Sequence, residues 1–155
     1  MRKLVSLSNM LKDAKKNHYA IGGFNVVNSD TFQAIVKAAE EVNSPVIIQV
    51  YHEHLKHIGE EYVVSLAETA AKNTDIPIAL QLDHGRNYNQ AVKCIDAGFS
   101  SVMLDLSLSS FEENISNTRK LVKYAHLRDV TVEAELGEIK SGSASIEERN
   151  SSLTD

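Results

Sequence analysis

The 155-residue sequence is poor in the features that mark secreted, membrane-spanning or nucleic-acid-binding proteins. It has a single cysteine, Cys94, so an internal disulfide is excluded and a reducing, cytoplasmic setting is expected. Cys94 falls on the apolar face of a helical segment and reads as a buried structural thiol. The longest apolar runs are strand-sized, far short of the ~20 residues that cross a bilayer, so no membrane partner is expected. The opening stretch MRKLVSLSNMLKDAKK carries charge on both sides of a short apolar segment and lacks a small-residue cleavage site. It reads as a helix and not as a signal peptide. Net charge is −5 and no Lys/Arg run forms a basic patch, which argues against a nucleic-acid surface. GxGxxG and P-loop motifs are absent, as are low-complexity stretches and repeats longer than a strand–helix unit.

What is present is ordinary in amount, 43% hydrophobic and 24% charged residues, but regular in order. A helix is expected over Leu4–Asn17, then a strand over Tyr19–Phe24. Ser29 or Asp30 is expected to cap a helix running through Val42, with Phe32, Ile35, Val36 and Ala39 at helical spacing. A continuous apolar strand follows at Val46–Val50, a helix at Glu60–Lys72, a strand in IPIALQL around Pro77, and a helix over Tyr88–Ala97 closed by Gly98. A strand at Ser100–Leu104, a helix at Phe111–Arg128 and a strand at Val130–Leu136 complete the pattern. Strands apolar on both faces, alternating with helices, indicate a parallel sheet in the α/β class. The candidate folds are a doubly wound sheet and the start of a (β/α)8 TIM barrel. A barrel needs eight such units and about 250 residues. This chain supplies about five, so residues 1–155 are expected to be the amino-terminal portion of one barrel domain, with 138–155 a polar loop.

In parallel α/β folds the working residues sit at the carboxyl ends of strands. That rule selects Asn25 and Asn28 after the first strand, Tyr51 to His57 after the second, and Asp83, His84 and Gly85 after the third. Asp105 and Ser107 follow the fourth, and Glu133 and Glu135 lie on the fifth. Carboxylates and an imidazole converging on one space suit a divalent cation. Asp83 could remain free to move a proton beside it, and Gly85 would permit a sharp turn. The bland alternative is an Asp capping the next helix beside a surface histidine. Glu133 and Glu135 alternate in an apolar strand and so share a face. They point either into a barrel interior that holds a cation or basic partner, or out from an edge strand with one wet face. His52, His54 and His57 do not share one helical face and read as a solvated loop ahead of a metal cluster.

Taken together, GGFNVVNSDTFQAIVKAAEEVNSPVIIQ (Gly22–Gln49), QLDHG (Gln81–Gly85), SSVMLDLS (Ser100–Ser107), FEENI (Phe111–Ile115), VEAELG (Val132–Gly137) and the terminal SSLTD resemble the class II, metal-dependent fructose-bisphosphate and tagatose-bisphosphate aldolases. The resemblance implies a zinc-dependent TIM barrel of carbohydrate metabolism and glycolysis. Its lyase reaction is the reversible aldol cleavage of a ketose 1,6-bisphosphate to dihydroxyacetone phosphate and glyceraldehyde 3-phosphate. It implies that Asp83 exchanges a proton with the C4 hydroxyl and that His84 is a zinc ligand. Glu135 approaches the metal, Asp105 belongs to a second metal position, and Asn25 lies close to substrate. A second divalent or a monovalent cation and a homo-oligomer are further implications. Two places depart from the family pattern. The loop after VEAELG reads EIKSGSAS, so that Glu138, Glu147 and Glu148 do not align with the family's loop acid. The second strand end carries bulky Tyr51-His52-Glu53-His54 in place of small residues. With the later zinc histidines and glycine-rich phosphate loops outside these residues, the chain alone is expected to be inactive. A degenerate, aldolase-like interaction protein is the alternative.

Overall fold

The computed structural model describes residues 4–137. The loop expected over 138–155, with Glu138, Glu147, Glu148 and SSLTD, lies outside the described residues. Eleven elements follow one another among those described: α1 Leu7–Asn17, β1 Gly22–Asn25, α2 Ser29–Glu41, β2 Val46–Tyr51, α3 Leu55–Ile58, α4 Glu60–Asn73, β3 Ile78–Gly85, α5 Tyr88–Ala97, β4 Ser101–Leu104, α6 Phe111–His126 and β5 Thr131–Ala134. All four strand pairings are parallel, in the order β1-β2-β3-β4-β5. A doubly wound sheet reverses its strand order at a switch point. This sheet does not, and so follows the path of a barrel wall.

The local signals explain most boundaries. Asn28, not Ser29 or Asp30, caps α2: its side chain accepts from the Thr31 N–H at 2.9 Å, and the Thr31 hydroxyl oxygen accepts from the Asn28 N–H at 3.2 Å. This reciprocal box satisfies two of the donors a helix start leaves open. Asn87 caps α5 without the reciprocal bond, its side chain accepting from the Gln90 N–H at 2.9 Å. The first helix begins three residues later than its apolar spacing suggests, because the preceding residues are extended and the Val5 N–H donates to the Ile78 carbonyl at 2.9 Å. The first strand is correspondingly shorter than Tyr19–Phe24 and shifted toward Asn25. The fifth is confined to Thr131–Ala134.

The two faces of the sheet differ in chemistry. On the outer face Val46, Ile48, Val50, Ile78, Leu80, Leu82, Val102 and Leu104 pack against α2, α4, α5 and α6 in one core that also encloses Cys94 and Phe99. Burial pushes the Cys94 thiol up to about 12, so it is a filler and not a nucleophile. The inner face carries a separate small cluster at its amino-terminal end, where α1 sets Leu7 and Met10 on Ile47 and Ala79. The same helix start is tied to β5 by Ser6 Oγ and Thr131 Oγ1, 3.2 Å apart. Above that cluster runs a polar row. Gln49 Nε2 donates to Gln81 Oε1 at 3.1 Å, and Gln81 Nε2 donates to Glu133 Oε2 at 2.6 Å. No helix among the described residues is long and apolar enough to cross a membrane.

The approach of β4 to β3 is set by Gly85. A Cβ there would lie 2.6 Å from the Met103 carbonyl oxygen and 2.6 Å from Leu82 Cδ2. Met103 O is backbone and cannot swing aside, so Gly85→Ala is expected to destabilise the chain by ~1–3 kcal/mol, the usual cost of overpacking. The urea midpoint should fall accordingly, and an unchanged midpoint would contradict the close approach.

Candidate active site at the strand ends

Polar side chains from all five strand ends share a common mouth: Asn25 from β1, Tyr51 from β2, both Asp83 and His84 from β3, Asp105 just past β4 and Glu135 just past β5. Neighbouring residues of a strand normally point to opposite faces. Asp83 and His84 escape that rule because His84 leaves the strand conformation, at φ 49°, in the left-handed region. The β3–β4 register shifts at the same place, between Leu82 and Gly85. The left-handed residue is thus His84, whereas Gly85 is needed for close packing. The expectation that Gly85 supplies the sharp turn is corrected accordingly. Asp83 caps no helix, since α5 is capped by Asn87.

Asn25 Nδ2 donates to Asp83 Oδ2 at 2.9 Å, and Asp83 Oδ1 lies 4.0 Å from His84 Nε2. On its other side the His84 ring sets Nδ1 2.9 Å from Asp105 Oδ2 and 3.5 Å from Glu135 Oε2. Asp105 is the most enclosed of these groups, with its side chain 5% exposed. Its Oδ2 also accepts from Arg86 Nη1 at 2.8 Å, and its Oδ1 accepts from the Ser107 N–H at 3.1 Å and the Ser107 hydroxyl at 2.6 Å. Glu135 is held from behind, where the Asn114 side chain of α6 donates to its backbone carbonyl at 2.8 Å and to that of Leu106 at 3.3 Å. Val132 packs with the outer core while Glu133 meets Gln81 and Glu135 meets His84, so both glutamates face inward.

The electrostatics are those of a site crowded with acid. Burial works against a charge on His84, but its hydrogen bond to Asp105 and the charges of Asp83, Asp105 and Glu135 outweigh it and raise the imidazole pKa. Burial likewise opposes the Asp105 charge, yet its bonds to Ser107 and His84 and the Arg86 guanidinium hold that carboxyl below its ordinary range. Glu135 is pushed up, first by burial and then by repulsion from Asp105. Among the described residues His84, Asp105 and Glu135 bring one potential ligand atom each within 4.8 Å of one another. One imidazole nitrogen and two carboxylates, one of them disfavoured as an anion by its neighbour, fit a divalent cation.

The second strand end is more ordered than its sequence suggests. His52 is buried, packs tilted against Tyr51 with ring centroids 4.4 Å apart, and lies 3.4 Å from Arg86 Nε through its own Nε2. His54 stands at the start of the short helix α3. The three histidines form no metal cluster among the described residues. Arg86 and Asn114 are the members of the site that strand-end reasoning passed over. Arg86 sits one residue past the DHG tripeptide, and Asn114 lies inside FEENI, a motif noticed only as a resemblance.

A family profile described as "Fructose-bisphosphate aldolase class-II" matches residues 5–155. The fructose-bisphosphate aldolase of Staphylococcus aureus strain Mu50 is 45% identical over 139 residues, covering 88% of this chain and 49% of the relative. That of Giardia intestinalis is 46% identical over 135 residues, covering 86% and 42%. The chain therefore spans about half the length of the curated relatives it matches. Among solved structures, the YdjI aldolase of Escherichia coli K12 superposes with a TM-score of 0.81 at 32% identity, covering 97% of this chain and 57% of the other. A putative fructose-1,6-bisphosphate aldolase of Coccidioides immitis gives 0.80 at 33% identity, covering 88% and 48%.

The raised His84 pKa makes a testable statement about stability. A group whose folded pKa exceeds its unfolded value, ~6.5 for histidine, stabilises fully below that value and loses its contribution as pH rises through the folded pKa. Urea midpoints of the wild-type chain and of His84→Asn should therefore differ most in mildly acidic solution and converge as pH rises toward the alkaline side. A gap independent of pH would refute the charged contact.

Proposed function

The chain belongs to the class II fructose-bisphosphate aldolase family, and we propose that its strand ends supply the first part of the active site of a metal-dependent ketose-bisphosphate aldolase. The substrate is fructose or tagatose 1,6-bisphosphate, cleaved reversibly to dihydroxyacetone phosphate and glyceraldehyde 3-phosphate. The observation that carries this reading is the pairing of Asp83, a carboxylate held on one oxygen by Asn25, with the His84–Glu135 group directly beside it. A cytoplasmic, homo-oligomeric enzyme working in carbohydrate metabolism is part of the same proposal.

Aldol cleavage of a ketose makes two demands. The C4 hydroxyl must lose its proton, and the electron pair of the breaking C3–C4 bond must be accepted beside the carbonyl carbon, C2. Asp83 is arranged for the first. Asn25 occupies its Oδ2 and fixes the carboxyl plane, leaving Oδ1 on the side of His84 to take the proton and to return it in the reverse direction. For the second, a divalent ion at His84 and Glu135 would supply Lewis-acid stabilisation of the charge gathering at the ketone. Zinc ordinarily takes four ligands from nitrogen, sulfur and oxygen donors. Two or three from this mouth leave the set incomplete, and we place the remaining ligands and the phosphate-holding groups outside residues 4–137. The bulk of Tyr51, whose ring lies 6.3 Å from that of His84, narrows the mouth on the β2 side.

In the protein carrying the complete barrel, Asp83→Asn is expected to lower kcat by ~10²–10⁴-fold, the usual worth of a positioned acid/base. Zinc content by atomic emission should be unchanged. Full turnover in the variant would remove Asp83 from the proton-moving role. The 155-residue chain alone is expected to show no cleavage with or without added zinc, and robust turnover would overturn the assignment of only part of a site to it.

A further inference from the structure

The β2 end walls the mouth with rings. Ile47 belongs to the inner cluster and Gln49 to the inner polar row, so alternation along β2 puts Tyr51 on the same face. Its register partner on β3 is Asp83, one strand spacing of about 4.8 Å to the side. The phenol ring centroid lies 4.4 Å from that of His52, 5.6 Å from that of His54 and 6.3 Å from that of His84. Two of these neighbours are themselves held in place. His52 is buried, with Nδ1 3.3 Å from Glu53 Oε1 and Nε2 against Arg86 Nε. His54 Nδ1 is buried without a hydrogen-bond partner among the described residues, so water does not enter between the rings there. Tyr51 is therefore a packed wall beside the proton-moving carboxylate and not a side chain free to swing aside.

We propose that Tyr51 is a specificity-determining residue that limits the aldehyde half of the substrate to three carbons. The proposal rests on the aldolase reading of the mouth and deepens it. In that reading the ketone lies toward His84 and Glu135, and the C4 hydroxyl meets Asp83. The path from Glu135 to Asp83 runs from the β5 end to the β3 end, and the next strand on the same heading is β2. Carbons beyond C4 therefore run against the Tyr51 ring. A glyceraldehyde 3-phosphate half sets C5, C6 and one phosphate there. A longer aldehyde undergoes the same bond change: C3 bonds to C4, the carbonyl electron pair of C4 passes to its oxygen, and that oxygen takes the proton from Asp83. What differs is the extra carbon, which has to fit against a ring backed by two imidazoles. One methylene more or less in a shaped pocket is worth ~10–200-fold in discrimination. The selection then falls on binding the aldehyde and not on the proton transfer.

The test uses the zinc-loaded protein carrying the complete barrel, with circular dichroism to confirm that each variant is folded. Dihydroxyacetone phosphate is condensed with glyceraldehyde 3-phosphate, which has three carbons, or with erythrose 4-phosphate, which has four. Wild type is expected to favour the three-carbon aldehyde in kcat/KM by ~10–200-fold. Tyr51→Ser should reduce that preference by ~10-fold or more, chiefly through a lower KM for erythrose 4-phosphate. Tyr51→Phe, which keeps the ring, should retain the wild-type preference. A second arm needs no turnover. Hexitol 1,6-bisphosphate and heptitol 1,7-bisphosphate lack the carbonyl and cannot be cleaved. Calorimetry should show wild type binding the hexitol more tightly, and Tyr51→Ser bringing the two Kd values together. A merely structural role would lower turnover of both aldehydes in Tyr51→Ser and leave their ratio unchanged, which overturns the proposal and leaves the aldolase reading standing. Equal use of both aldehydes by wild type does the same. Loss of the preference in Tyr51→Phe assigns it to the hydroxyl and overturns the wall. No condensation of either aldehyde by the zinc-loaded wild type overturns the aldolase reading itself, and the length limit with it.

Discussion

The mouth of this sheet depends on a single backbone departure, the left-handed conformation of His84. A residue with a Cβ in that region costs on the order of 1–2 kcal/mol. It persists because the surroundings reward it. The turned imidazole lands on Asp105, and Gly85, with no side chain, lets β4 close over the kink against the Met103 carbonyl. Without the turn, Asp83 and His84 would face opposite sides of the sheet. One would enter the apolar outer core, and the two side chains could not meet at the mouth. Strain at the candidate site, supported by neighbours on two other strands, is how local cost would become pre-organisation.

The rest of the site is arranged in rows set by register. Parallel pairing aligns Asn25 with Gln49, Gln49 with Gln81, Gln81 with Ser101 and Ser101 with Thr131, so each strand presents its inner residues at graded heights. The lowest inner level is apolar and covered by α1, the middle is the amide–carboxylate chain from Gln49 to Glu133, and the top is the acidic rim with His84. Support comes from behind as well as from the side. Asn114 ties the end of β5 to the start of the α6 unit through two carbonyls, and so fixes where Glu135 begins.

Much of this was legible in the sequence because the governing signals are local and periodic. Val46–Val50 and Ser100–Leu104 can only be buried strands, and Asp83, Asp105 and Glu135 are polar residues at or just beyond strand ends. That Glu133 and Glu135 share one face followed from a period of two, but that the face is the inner one is decided by their contacts with Gln81 and His84. What stayed hidden depends on contacts across the sheet. Nothing in DHG announces that the histidine and not the glycine is left-handed, because that is decided by how closely β4 approaches. Nothing local marks Arg86, since its partner Asp105 lies 19 residues away. The extended start before α1 is not marked locally, because Leu4 and Val5 fit a helical stripe as well as they fit an extended run against the start of β3. The capping of α2 was misplaced by one residue for a simpler reason: Asn28, Ser29 and Asp30 are all good caps, and only the reciprocal bond with Thr31 selects among them.

The polar row from Gln49 through Gln81 to Glu133 bears on how such a molecule comes into being. During synthesis the first strands leave the ribosome before the later part of any barrel exists, and an apolar inner wall would then invite the wrong neighbours. Here the wall is already internally bonded at mid-height, with Gln81 only 2% exposed although its strand faces the open side. The sheet can wait with its inner polar row bonded to itself and its helices docked on the outside. Its inner surface asks a later partner for polar fit and gives it little greasy area to cover.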